Sequence, residues 1–181
     1  MRFPLVPEQE WTPEQRRVAQ DIASGPRGEL RGPFVPLIYS PGLAEPVQKV
    51  GEYLRFGTRI PNDLLEMAVL ITARHFRCAN IWHSHRALAR KAGLGLDIIA
   101  AIAAGQRPAV LPEKHAEIYD FCVELTQNHS VSDATFDRLA VRWDRATVID
   151  VIGICGYYAM LAMVLNAANI PLPDGAVPFE S

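Results

Sequence analysis

At 181 residues, with 49% hydrophobic and 21% charged side chains, the chain has the makeup of one globular domain that buries its own core, which excludes a disordered or fibrous protein. Its formal net charge of −2 supplies no global pull toward nucleic acid or anionic lipid, so neither nucleic acid nor membrane is expected as a partner. Three cysteines, an odd number without framework spacing, fit a reducing, cytoplasmic setting, and Met1-Arg2-Phe3-Pro4-Leu5 lacks the apolar stretch of a secretory signal.

Thr12-Pro13-Glu14-Gln15 combines an N-cap, a first-turn proline and a capping-box partner, so a helix opens there and stops at Ser24-Gly25-Pro26. Residues 1–30 therefore read as an N-terminal helix and arm, and 31–181 as a single helical domain. Arg27 to Tyr39 holds Gly28, Gly32, Pro33 and Pro36 and reads as a loop. Pro46 is expected to open a second helix that runs to Phe56 and ends at Gly57. Pro61 opens Asn62–Phe76, and Ala79–Ala92 and Asp97–Ala104 follow, ended by Gly93 and Gly105. Pro112–Asn128 places Ile118, Phe121, Cys122 and Leu125 at helical spacing. Ser132 caps Asp133–Arg142, and Asp144 caps a long last helix that ends before Pro171.

No stretch alternates with period two for long enough to build a sheet. The expected architecture is an all-α helical bundle of about eight helices. Val151–Pro173 carries no charged residue, a length that would span a bilayer. Asn166, Asn169 and the Gly153/Gly156 pair argue instead for a fully buried central helix.

Chemistry concentrates between Met67 and Leu96. This stretch has no Asp or Glu, yet it holds Arg74, Arg77, Arg86, Arg90 and Lys91 with His75, His83 and His85. Arg86, Arg90 and Lys91 read as a solvated helix face, whereas Arg74 and Arg77, at a corner between two helices, are candidates for anion binding. Glu66 lies just upstream among Leu64, Leu65, Met67, Ala68, Val69 and Leu70. A carboxylate in so apolar a helix is either on its one wet stripe or buried with a partner. If the chain turns near Arg77, Glu66 and His85 both sit roughly 12–16 Å from the corner at 1.5 Å per residue, so they face each other across antiparallel helices. A Glu–His pair is a proton-transfer device.

Cys78, Ile81 and His85 share one face of the second helix, and Trp82 borders it as a possible pocket wall. His83, two residues from His85, points elsewhere, and His-x-His on a helix is a poor metal pair; no metal site and no cofactor are expected. Cys78 alone reads as a buried thiol, and Cys122 and Cys155 as core.

Leu65-Glu66, then Cys78-x-x-Ile81-x-x-x-His85 and Ala89-x-x-Ala92-Gly93-Leu94, resembles the carboxymuconolactone decarboxylase-like superfamily, which includes the alkylhydroperoxidase D-type peroxidases. The resemblance extends through Gly32-Pro33-Phe34, Leu54-Arg55-Phe56-Gly57-Thr58, Gly156-Tyr157-Tyr158-x-Met160 and Leu165-Asn166. It implies an all-α fold that assembles into a homo-oligomer, as trimer, hexamer or dimer, with sites at or near the interfaces. It also implies that Glu66 is the relay glutamate, Cys78 the first cysteine of the redox motif and His85 the relay histidine.

The peroxidase members read Cys-x-x-Cys, and here the second cysteine is Ile81. A dithiol cycle needs both sulfurs, because one thiolate must attack the other. The resemblance therefore points to the decarboxylase branch, which acts on a small carboxylated lactone or acid. Such chemistry needs a cation for the carboxylate, a donor for the enolate-like oxygen and an acid. Arg74 or Arg77, His85 and Glu66 are the candidates in that order, with Cys78 kept as a third catalytic candidate. Trp82, His83 and Tyr158 join the two arginines as expected substrate contacts. The alternatives are a peroxidase or redox sensor working through an exposed Cys78 alone, and a helical assembly protein without catalysis.

Overall fold

The computed structural model describes residues 1–179, so the last two residues of the domain expected over 31–181 lie outside the described ones. The first helix, α1 (Pro13–Ser24), begins where the capping box places it: the Thr12 side chain accepts from the Gln15 N–H, and the Gln15 side chain accepts from the Thr12 N–H. It buries Val18, Ala19 and Ile22 as part of the main core. The glycine- and proline-rich stretch after it is a loop except for one turn of helix, α2 (Phe34–Leu37), which buries Phe34, Pro36 and Leu37.

The next helix departs from expectation. α3 spans Pro41–Glu52 and contains Pro46 in its second turn rather than starting there. Pro41 occupies the favoured first position, and Pro46 then forfeits a single backbone bond, the one to the Gly42 carbonyl, at a point where the helix is barely established. α3 runs directly into a π-helical turn, Tyr53–Gly57. Wider turns of this type are frequent at functional sites, and this one carries Arg55.

α4 (Asn62–His75) is the centre of the molecule. Its residues Leu64 to Ala73 are all buried, Glu66 and Thr72 included. An apolar surface on every side requires neighbours on every side, and α4 packs against α5 (Ala79–Lys91), α6 (Leu96–Ala103), α7 (Glu113–Asn128) and α9 (Arg145–Ala168). α8 (Asp133–Arg142) lies against α7 and α9. Ser132 and Asp144 cap α8 and α9 by accepting the Thr135 and Thr147 N–H groups. Gly93 and Gly105 take left-handed φ of 90° and 71° beyond α5 and α6, as C-terminal glycines do.

Among the described residues there are nine α-helices, one of them the single turn α2, and no strand. The fold is all-α. The long helix α9 is apolar enough to cross a membrane by length and composition, but it is not fully buried. It packs on α4 and α7 and also meets α2, α8 and the π-turn, while Ile149, Ile152 and Met163 are exposed. The central, wholly enclosed helix is α4 instead, because helices pack against several of its faces.

Candidate active site

α4 and α5 form an antiparallel hairpin whose corner is Phe76-Arg77-Cys78, with Arg77 at φ 51° and the Cys78 N–H bonded to the Ala73 carbonyl. This geometry brings the two predicted relay residues together. His85 Nδ1 lies 2.7 Å from Glu66 Oε2, and the residues are 8% and 7% exposed. The carboxylate accepts the Nδ1–H, which sets the tautomer and leaves Nε2 outside this bond.

The position of His85 on α5 explains its double role. Cys78, Trp82, His85 and Ala89 form the buried stripe facing the core, while Ile81, Ser84, His85 and Leu88 form the stripe that lines a cavity. His85 belongs to both, so its ring meets Glu66 on one side and the cavity on the other. Glu66 itself does not line the cavity. Glu66 sits behind the ring, whereas it is expected from the sequence among the cavity-lining groups.

The cavity measures about 490 Å³. Arg27, Arg31, Gly32 and Phe34 from the α1–α2 region, Arg55 from the π-turn, and Tyr157, Tyr158 and Leu161 from α9 enclose it against α5. Tyr158 sits edge-on to His85 with ring centroids 4.9 Å apart, and Tyr157 sits edge-on to Tyr158 at 5.3 Å. The Tyr158 hydroxyl is buried without a hydrogen-bond partner. Burial pushes this phenol well above its ordinary range, so it stays protonated and can only serve as a neutral donor or acceptor. His83 is exposed on the cavity rim.

Arg74 and Arg77 are elsewhere. The Arg74 Nε–H donates to the Ala103 carbonyl at 2.8 Å and the guanidinium lies 5.0 Å from the Phe179 ring centre. Both arginines border a separate cleft against α6 and α7. The reason is helical phase: eight residues beyond Glu66 is about 80° past two full turns and ~12 Å along the axis. The cations near the relay are Arg27, Arg31 and Arg55, which local reading passed over although Gly32-Pro33-Phe34 and Leu54-Arg55-Phe56 both fall in segments carrying the family resemblance.

Trp82 is 1% exposed and stacks toward Phe179, with ring centroids 5.8 Å apart, rather than walling the cavity. Cys78 is fully buried, and burial raises its thiol. This is the buried thiol expected from the sequence, and the alternative of redox sensing through Cys78, which needs an exposed thiol, does not find that exposure. Cys122 and Cys155 are core as expected, but they meet each other between α7 and α9; the hydrogen bond to Cys155, with burial, pushes the Cys122 thiol up. Among the described residues no three His, Cys, Asp or Glu side chains cluster as a metal site would require.

The all-helical architecture is the alkylhydroperoxidase D-like fold. Among solved structures the chain is similar to the crystal structure of an alkylhydroperoxidase AhpD core, an uncharacterized peroxidase-related protein from Ralstonia eutropha, at a TM-score of 0.76 and 17% identity, over 96% of this chain and 92% of that one. No protein-family model and no curated protein sequence matches.

Proposed function

We propose that this protein is an acid–base enzyme of the carboxymuconolactone decarboxylase-like kind, acting on a small anionic lactone or carboxylic acid. The observation that carries the reading is the buried Glu66–His85 pair opening into a cavity that Arg27, Arg31 and Arg55 make cationic. In such a reaction the bond to the leaving carboxylate breaks, and its electron pair delocalises onto the lactone carbonyl. A proton must then reach carbon. His85 Nε2 is the proton donor in this scheme. Glu66 holds and orients the imidazole, and the arginines bind the substrate's carboxylate.

The neighbour's description as peroxidase-related makes a thiol peroxidase the second reading. Two facts weigh against it: Ile81 replaces the second sulfur, and Cys78 is fully buried with a raised thiol. Self-association is part of the proposal. Tyr53 and Phe56 of the π-turn and Ile149, Ile152 and Met163 of α9 are exposed, and the Tyr53 hydroxyl donates to the Asp150 carboxylate at 3.1 Å, joining the two groups into one surface. That surface suits a homo-oligomer, with trimer, hexamer and dimer distinguished by sedimentation. Three unbridged cysteines support a cytoplasmic setting.

The test is turnover of a panel of carboxylated unsaturated lactones and muconate derivatives, read as carbon dioxide release, alongside peroxide consumption with a thiol donor. Glu66→Gln and His85→Ala should each lower turnover by ~10²–10⁴-fold, as loss of an acid–base group does, and Cys78→Ser should leave it largely intact. Catalytic peroxide reduction abolished by Cys78→Ser would replace this reading with a one-cysteine peroxidase.

A further inference from the structure

The two arginines at the α4–α5 corner, which the relay does not use, belong to a second concave site. Arg74, His75 and Arg77 line a cleft of about 440 Å³ whose apolar lining includes Ile71 of α4, Ile102 of α6 and Val123 of α7. It shares no lining residue with the cavity of His85, and its volume lies in the range of small-molecule sites.

No carboxylate answers these cations. No ion pair involves Arg74 or Arg77 among the described residues, and no Asp or Glu lines the cleft. Asp120 and Glu124, which neighbour the α7 lining residues in sequence, are engaged elsewhere. Asp120 accepts from Arg107 and Arg138, and Glu124 accepts from the Ser132 N–H and hydroxyl. Burial and neighbouring His129 lower His75, so near neutral pH the charge of the cleft is that of its two guanidinium groups.

The two arginines are held differently. Arg74 is half-buried and fixed: its Nε–H donates to the Ala103 carbonyl at 2.8 Å, and the Phe179 ring centre lies 5.0 Å away. Gly105 leaves the room, since a Cβ there would stand 3.3 Å from one Arg74 Nη. The Nη groups of Arg74 have no hydrogen-bond partner among the described residues, and they are not among the buried unpartnered atoms, so they reach solvent as free donors. Arg77 is exposed and occupies the corner at φ 51°. A left-handed backbone there costs a residue other than glycine about 1–2 kcal/mol, so a guanidinium stands where the backbone alone favours glycine.

We propose that this cleft is a second binding site for a small amphipathic oxyanion. Arg74 and Arg77 hold its carboxylate or phosphate group, and an apolar body the size of one aromatic ring lies on Ile71, Ile102 and Val123. Guanidinium groups suit both kinds of headgroup, because each offers paired acceptor oxygens to a planar set of donors. The site is separate from the proposed chemistry at His85 and stands without it.

Titration calorimetry on the full-length protein, with phenyl phosphate, benzoate, inorganic phosphate and phenol as probes, tests this. Phenyl phosphate or benzoate should bind with a Kd below about 1 mM, and the tighter of the two identifies the headgroup. Phenol, which lacks the charge, should bind at least about tenfold more weakly, and inorganic phosphate, which lacks the apolar body, at least about threefold more weakly. Arg77→Gln should weaken the tighter probe by about tenfold. Gln127→Glu, at an exposed position of the same cleft, should also weaken it, because it sets a like charge against the ligand without changing side-chain size. Modification of arginine by phenylglyoxal, mapped by peptide mass, locates the site: the bound probe should slow reaction at Arg77, and phenol should not.

The proposal is overturned if neither anion binds at about 10 mM, or if Arg77→Gln and Gln127→Glu, folded by circular dichroism, bind as wild type does. It is equally overturned if the probe leaves Arg77 unprotected, which would place the anion elsewhere. Inorganic phosphate binding as tightly as phenyl phosphate would remove the apolar half of the site and with it the proposed ligand class.

Discussion

Replacing Tyr158 by phenylalanine should make the protein more stable. The ring is 2% exposed and packs edge-on against His85 and Tyr157, contacts a phenylalanine ring reproduces without opening a void. What the substitution removes is a buried hydroxyl with no partner. An unsatisfied buried polar group costs about 1–3 kcal/mol, and for a domain of this size each kcal/mol moves the midpoint by roughly 2–4 °C. Thermal melts should therefore show Tyr158→Phe melting about 2–12 °C above wild type. An unchanged or lower midpoint for ligand-free Tyr158→Phe would refute the reasoning. It would mean that ordered water already satisfies the hydroxyl.

Gly51→Ala should destabilise the fold by about 1–3 kcal/mol, read from denaturant midpoints, despite alanine's better helix propensity, since its methyl group collides with Tyr157 and Arg27. A neutral or stabilising effect would show that the Tyr157–Arg27 contact yields readily. All three thiols should resist an aromatic disulfide reagent at neutral pH in the native protein and react only after unfolding, because Cys78, Cys122 and Cys155 are at most 3% exposed; rapid labelling of one thiol in native protein contradicts this. His115 is lowered from 6.5 because burial disfavours its charged form, with Asp63 at 3.0 Å offsetting only part of that cost. The folded state then binds fewer protons than the unfolded chain below about 6.5, so stability present above that pH is lost as pH falls through the folded value. Denaturant midpoints should drop between pH 7 and 5, and the drop should be shallower in His115→Gln; an equal drop in both proteins would exclude His115 as its source.

Much of this protein is written locally. Thr12, Ser132 and Asp144 start helices because each offers an oxygen to an unpaired N–H three residues ahead, and that choice needs no tertiary partner. The Glu66–His85 contact was equally legible, since the fixed rise of two antiparallel helices about one corner places residues at matching heights. Period and rise give a position along a helix and an angle around it. They do not say which neighbour stands at that angle.

The cations of the site show the difference. Arg27 reaches the cavity through a bond to Tyr157, 130 positions along the chain, and nothing within a window of ten residues around either one carries that distance. Arg74 and Arg77 had the better local claim, being clustered near the relay in sequence, yet helical phase turned them to the α6–α7 cleft. The same holds for α9, whose uncharged run reads as wholly buried. Packing partners on α4, α7, α2, α8 and the π-turn cover much of it, yet Ile149, Ile152 and Met163 stay exposed. Caps and periods are settled by energies within a turn or two of backbone, so sequence determines them. The composition of a cavity wall is settled by which surfaces meet when α1, the π-turn, α5 and α9 pack together, and only the tertiary structure decides that.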